Sequence, residues 1–319
     1  MGRVLPPATV RDTCVVVVNW NGAALLGPCL DALQRAGPEA HQVVVDNGSA
    51  DGSAAVVAGF PGVEWLPLGE NRGFAEANNV ALRRALAADA RWIALVNPDM
   101  RVEPDWLERL VAAGEADPRA GLLQGTVLFE QRPGVVNSTG LVLDVVGRAV
   151  DRDFEVPLAE LSRPDGPVAA VSGGAVLLRA EMLREVGLFD PDFFAYCEDV
   201  DLSLRAARAG WRSLFVAGAR SYHGYEQSFG VGSPRKKYLL ARNHLRVVAT
   251  HLPLPIAAVL VPALALLRAG LKAPAELAAG RPEHARAHLR AARDGLADAS
   301  RAFARRARGR LIPPGAEPG

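Results

Sequence analysis

Three acidic or basic features stand far apart in the chain, each of a type suited to holding a phosphate-bound cation or moving a proton. Asn97-Pro98-Asp99 ends an apolar run. Pro98 keeps Asn97 extended, so the strand continues and Asp99 projects past its end. A carboxylate there can hold Mg²⁺ or Mn²⁺ against a substrate diphosphate, a site that needs only one or two protein carboxylates. Glu198, Asp199 and Asp201 crowd the first turn of a predicted helix, more negative charge than the helix dipole calls for. Asp201 has Arg205 four residues on as a local partner. Glu198 and Asp199 have none, so one of them can take a proton from an acceptor hydroxyl as general base. His223 follows on a short strand, and an imidazole beside Asp99 leans toward Mn²⁺ as an alternative to Mg²⁺.

A second set of residues reads as a nucleotide site. Asn19 and Asn21 follow the first apolar run, and Asp46 ends the second, where its carboxylate can accept the N3–H of a uracil or thymine ring. Asn47 to Asp51 read as the turn that follows, with Asp51 capping a helix. Asn71, Gly73, Phe74 and Asn78 open a third helix, where backbone N–H groups favour diphosphate oxygens. The first turn lacks GxGxxG, which disfavours a dehydrogenase-type dinucleotide fold.

The elements that must position these groups are α/β. Continuous apolar runs over 14–18, 42–45, 63–68 and 92–96, with amphipathic stretches between them, predict strands of a parallel sheet covered on both faces. A doubly wound sheet follows, with ligands at the carboxyl ends of its strands. Beyond Val96 longer strands are expected over 121–129, 141–150 and 168–178, giving a mixed second half. A helix from Glu198 to Gly210 and a short strand over 213–216 complete it.

The net charge of +1 conceals an asymmetry, because residues 235–319 hold 16 Lys and Arg against 5 Asp and Glu. No zinc pattern or aromatic-interleaved basic motif accompanies this tail, so nucleic acid is not its expected partner. A membrane surface is, since between Arg246 and Arg268 no charged side chain occurs apart from His251. Pro253, Pro255 and Pro262 interrupt that run, favouring an interfacial or re-entrant helix over a straight span. Three cysteines exclude a disulfide framework, and the start lacks the basic-then-apolar pattern of a secretory signal. The expected organisation is a flexible N-terminus over 1–12, a catalytic domain over 13–233 and a helical C-terminal region over 234–319. The expected location is cytoplasmic, on the inner face of the cell membrane.

In order along the chain, VVVNWNG, VVDNGSADGS, NRGFAEANN, LVNPD, the segment 172–211 and His223 together resemble family 2 glycosyltransferases, nearest the bacterial rhamnosyltransferase-like branch. The resemblance runs from about residue 13 to residue 246. It implies a GT-A fold with a mixed, doubly wound sheet, inverting transfer and a divalent metal, Mn²⁺ or Mg²⁺. It further implies that Asp46 binds the base, Asp99 is the metal-binding end of the Asp-x-Asp motif, Asp199 is the catalytic base and His223 a metal ligand. Asn97 stands where the family more often has a first aspartate. The implied partners are a nucleotide-diphosphate sugar, with dTDP-rhamnose favoured, and a cell-envelope glycan or polyprenyl-linked acceptor. A non-catalytic sugar- or nucleotide-binding scaffold on the membrane is the alternative, and self-association is left open.

Overall fold

A computed structural model describes residues 9–224, 232–309 and 316–318. Most of the expected flexible start therefore lies outside the described residues. In chain order the elements are β1 (Thr13–Asn19), α1 (Ala23–Ala36), β2 (His41–Asp46), α2 (Ser53–Ala58), β3 (Val63–Pro67), α3 (Gly73–Ala87), β4 (Trp92–Val96), β5 (Met100–Val102), α4 (Trp106–Ala116), β6 (Ala120–Phe129) and β7 (Arg132–Ser138). There follow β8 (Leu141–Leu143), β9 (Ala149–Asp151), β10 (Gly166–Val168), β11 (Ala175–Arg179), α5 (Ala180–Val186), α6 (Glu198–Arg208) and β12 (Arg212–His223). Among the described residues four helices follow: α7 (Pro234–His251), α8 (Leu254–Leu267), α9 (Ala273–Ala278) and α10 (Pro282–Ala307).

The main sheet runs β10-β12-β6-β11-β4-β1-β2-β3, with β5 paired to β12 and β7 to β6. Its first half is parallel, while β11 is antiparallel to both β4 and β6. The apolar runs have the expected physical cause. Val15 and Val17 of β1 pack with α1 and α4 through Leu26, Leu30, Trp106 and Leu110. Cys14 and Val16 pack with α3, α5 and α6 through Leu82, Met182 and Leu202. A strand whose alternate residues enter two dry cores has no polar face to show.

Three expected strands differ. The stretch 141–150 is two short strands joined at Asp144, whose carboxylate accepts from Val146 N and Arg148 N, with Gly147 at φ +74°. The stretch 168–178 is broken by Ser172-Gly173-Gly174, and only 175–179 joins β4 and β6. The expected short strand at 213–216 runs on to His223 after a bulge between Val216 and Arg220. That extension matters, because the register sets His223 opposite Met100 of β5, the residue after Asp99.

The apolar stretch before Arg268 is likewise not one element. Val247, Val248 and Ala249 are buried in the last turns of α7, and His251 is 2.8 Å from Asp201. A second helix holds the rest. Residues Leu254–Ala278 form a continuous, apolar 25-residue helix through a π-helical turn at Arg268–Lys272. Ala257, Val261, Ala265, Arg268, Ala273 and Glu276 make its buried stripe, whereas Val259 and Leu266 are each 72% exposed.

Candidate active site

Strand pairing brings the first two candidates together. His223 Nε2 stands 3.4 Å from Asp99 Oδ2. Asn137 of β7 places its Oδ1 3.0 Å from His223 Nδ1, so in this amide orientation Nδ1 is the donor and Nε2 is the nitrogen that faces Asp99. An imidazole nitrogen and a carboxylate oxygen this close form a donor pair for one cation, and a hydrogen bond on the far nitrogen is the usual support for a ligating His. The donor chemistry thus fits Mn²⁺ or Mg²⁺ with substrate oxygens completing the shell. Among the described residues no cluster of three or more His, Cys, Asp or Glu forms a protein-only metal cage.

Asp199 and Glu198 start α6. Asp199 Oδ2 accepts from Gly173 N at 2.8 Å, which explains why the Gly173-Gly174 break interrupts the expected strand. Asp199 Oδ1 accepts from Val200 N at 2.8 Å. Burial pushes the Asp199 carboxyl above its ordinary range, and these two N–H groups pull against that shift. Glu198 is pushed well above its range by burial first and then by the charge of Asp199. Both carboxyls are thus raised, Glu198 the further of the two, and paired acids whose environments differ are the arrangement in which an acid and a base can be told apart. Asp201 behaves otherwise. Burial works against its charge, but Arg205 and His251 hold the carboxyl well below the usual range, as fits a structural ion pair.

The approach to α6 is strained. Phe194, Tyr196 and Cys197 all have positive φ, between 64° and 70°. Such conformations persist only when surroundings over-determine them, and α7 does so: Asn243 Nδ2 donates to the carbonyls of Phe193, Ala195 and Tyr196. Arg242 adds bonds of 2.7 Å to the carbonyls of Asp192 and Phe193. Gly73, at φ +85°, leaves room for this loop, since a Cβ there would lie 2.6 Å from Phe194 O.

A cavity of about 380 Å³ joins these pieces. Its lining includes Asn71, Gly73, Phe74, Asn97, Asp99, Glu198, Asp199 and His223. Asn19, Asn21, Asp46 and Asn78 are not on that wall. Parallel pairing aligns Asn19 with Asp46; Asn19 Nδ2 bonds Ser49 and Ser53, and Asp46 accepts from Ser49 N. Asn21 Oδ1 accepts from Ala50 N, and Asn78 Nδ2 donates to Phe74 O within α3. Asp51 accepts from Ser53 N and also from Ala23 N, so it stitches two loops, while Gly52 rather than Asp51 is the N-cap of α2.

The cavity wall also holds residues that the sequence reading passed over, notably Trp20, Asn47, Gly173 and Asp151. Asn47 bonds Asn71 Oδ1 and Gly73 O and accepts from Arg72 N, fixing the loop before α3. Its signal was present in the Asp46-Asn47 turn. Asp151, at the end of β9, has its carboxyl raised by burial, with Ser138 and His223 opposing the shift, and its charge is felt at Asp199. Nothing in its local sequence marks it.

The profile of the family described as glycosyl transferase family 2 matches residues 14–186. The chain belongs to glycosyl transferase family 2. This glycosyltransferase is 32% identical over 238 residues to N-acetylglucosaminyl-diphospho-decaprenol L-rhamnosyltransferase of Mycobacterium tuberculosis, covering 68% of this chain and 77% of that one. Among solved structures it resembles the mannosyltransferase PcManGT of Pyrobaculum calidifontis, in complex with GDP-Man and Mn²⁺, with a TM-score of 0.53 and 19% identity over 92% of this chain and 87% of that one. It also resembles GalNAc-T7 with UDP, GalNAc and Mn²⁺, with a TM-score of 0.61 and 18% identity. The latter match covers 75% of this chain but 48% of the other, about half its length. These likenesses make the fold GT-A, as the sequence motifs implied, with the C-terminal helices as an extension.

Proposed function

We propose that this glycosyltransferase moves rhamnose from dTDP-rhamnose, with inversion, to a hydroxyl of a lipid-diphosphate-linked sugar at the inner face of the cell membrane. One observation carries the reading: Asp99, the adjacent Glu198 and Asp199, and His223, drawn from three segments spread over 125 residues, border a single cavity. The rhamnosyltransferase name of the 32% identical relative supports the sugar and the lipid-linked acceptor. The exposed apolar face of Leu254–Ala278 supports a membrane-surface location, with its buried stripe holding the helix to the protein.

In the proposed mechanism Asp99 and His223 would hold the metal, which supplies positive charge opposite the departing diphosphate. Asn71 and the N-terminal turn of α3 hold donor phosphate oxygens. Asp46, which is not on the wall, fixes the loop that receives the base. The acceptor O–H gives its proton to Asp199 as its oxygen forms the new bond to the anomeric carbon. The bond from that carbon to the diphosphate oxygen breaks, and its electron pair leaves with dTDP. Gly173 N and Val200 N keep Asp199 in place through the exchange.

The test is a donor panel with purified full-length chain, a decaprenyl-diphosphate-linked N-acetylglucosamine acceptor and Mn²⁺. The expected result is transfer from dTDP-rhamnose, abolished by EDTA and restored by Mn²⁺. Transfer from a different donor with none from dTDP-rhamnose would replace the sugar assignment, and undiminished transfer in EDTA would remove the metal.

A further inference from the structure

A second and larger cavity, about 1260 Å³, opens beside the first, between the β8–β9 hairpin and helices α7 to α10. Ala149, Asp151, Cys197, Val200, Lys236 and Leu240 border both. Its charge is lopsided. Among the described residues its wall carries six Lys and Arg side chains against three carboxylates, Asp144, Asp151 and Glu276.

Among the described residues, two of the cations, Arg268 and Lys272, form no ion pair with a carboxylate. Arg268 is 6% exposed. Its guanidinium donates to Leu264 O at 2.9 Å and to His244 Nδ1 at 2.8 Å, and His244 Nε2 in turn lies 2.9 Å from Val146 O. This chain of bonds fixes a neutral His244 and leaves the guanidinium charge uncompensated. Burial alone lowers the Arg268 pKa to about 10. On Lys272, burial and the charges of Arg268, Arg148 and Lys237 all act in the same downward direction. Holding mutually repelling, partly desolvated cations around a cavity is costly, and a cleft lined by one sign of charge attracts the counter-ion that offsets the cost. Arginine in such a setting suits phosphate oxygens, which accept from its planar fork.

The third observation is what adjoins this basic cavity. Leu264 and Leu267 are part of its wall, and the same helix continues with Leu266 and Leu271 exposed at 72% and 63%. This basic cavity borders an apolar, exposed helix face and shares wall residues with the cavity that Asp199 lines, an arrangement that matches a molecule having a chain, a diphosphate and a sugar in that order.

We infer that the cavity walled by Arg148, Lys237, His244, Arg268 and Lys272 binds the diphosphate of an isoprenoid-diphosphate-linked acceptor, whose hydrocarbon chain leaves along the Leu254–Ala278 face. The inference deepens the proposed function and rests on its reading of the acceptor as lipid-linked. It adds the residues that recognise the diphosphate and the path that presents the sugar hydroxyl to Asp199.

Binding rather than turnover separates the two. Titrate the full chain in EDTA, so that the cation site plays no part, with farnesyl diphosphate, inorganic pyrophosphate and farnesol as probes. Farnesyl diphosphate should bind saturably and more tightly than either of the others. Arg268→Gln and Lys272→Gln should each weaken it about tenfold or more, the scale of one charge-assisted contact. That pattern supports the cavity assignment even if no rhamnose is transferred, in which case the donor reading alone falls. Unchanged farnesyl diphosphate affinity in the exposed Lys272→Gln variant would overturn the assignment, whatever the folding of Arg268→Gln. Equal affinity for inorganic pyrophosphate would also overturn it, by making this a free-anion site.

Discussion

Replacing Arg246 by Met should damage this protein more than any surface change, and in a pH-dependent way. Arg246 is fully buried, with its side chain 2.6 Å from Asp190 Oδ2, 2.9 Å from Asp192 Oδ2 and 3.6 Å from Asp298 Oδ2, and 5.1 Å from the Phe193 ring centre. Methionine keeps much of the volume and removes the charge, which leaves Asp190 buried with Arg305, at 3.8 Å, as its one basic neighbour among the described residues. Removing one partner of a buried pair destabilises by about 3–5 kcal/mol, or roughly 6–15 °C in Tm at ~2–3 °C per kcal/mol. Burial already raises the Asp190 carboxyl against the pull of Arg246, so the variant raises it further. A carboxyl raised on folding favours the fold below its unfolded pKa, and that contribution is lost as pH rises through the folded value. The deficit should therefore be large at neutral pH and shrink toward about pH 4, near the unfolded aspartate value. Urea denaturation of both proteins at the two pH values measures it. A loss under about 1 kcal/mol, equal at both pH values, would refute the reasoning.

Three further outcomes follow from the site. Glu198→Gln should raise stability at neutral pH, because the buried glutamate carboxyl sits well above its ordinary range and loses its contribution as pH rises; thermal melts should show the gain fading below about pH 4.5. Mn²⁺ with dTDP should raise the wild-type Tm, by about 2.7 kcal/mol of linkage at a hundredfold excess over Kd, and Asp99→Asn or His223→Ala should abolish the Mn²⁺-dependent part. Gly73→Ala puts a side chain at φ +85° and a Cβ 2.6 Å from Phe194 O, so stability should fall by about 1–2 kcal/mol and kcat should fall with it as the Asp199 loop shifts.

What was legible in the sequence follows from how local each signal is. The nucleotide half was readable because β1, β2 and β4 are dry on both faces, and because Asp99 ends its strand beside a proline. Asp199, which lines the cavity, stood out as a candidate because three acids in one helical turn exceed any local need. Asp201 also resolved as expected, paired to Arg205 at 2.8 Å. The Asp99–His223 contact, by contrast, depends on β5 and on the bulged extension of β12, neither of which has a local pattern strong enough to read. Asp151 reaches the site only because the Asp144 turn folds 141–151 into a hairpin, although Asp144 followed by Gly147 is a recognisable turn pair. The largest surprise is the C-terminal region. Its apolar stretch is divided between α7, which holds the strained loop before Asp199 through Arg242 and Asn243, and a separate helix with an exposed apolar face. Helical periodicity carries no information about such tertiary hydrogen bonds.

The most direct test of the proposed chemistry is single-turnover kinetics of Asp199→Asn alongside its affinity for dTDP with Mn²⁺. Asparagine preserves shape and can keep an acceptor for Gly173 N, so nucleotide binding should stay at the wild-type level while transfer slows by roughly 10² or more, the scale of a lost general base. Transfer at the wild-type rate in that variant would contradict the account, since the proton would then be leaving by another route.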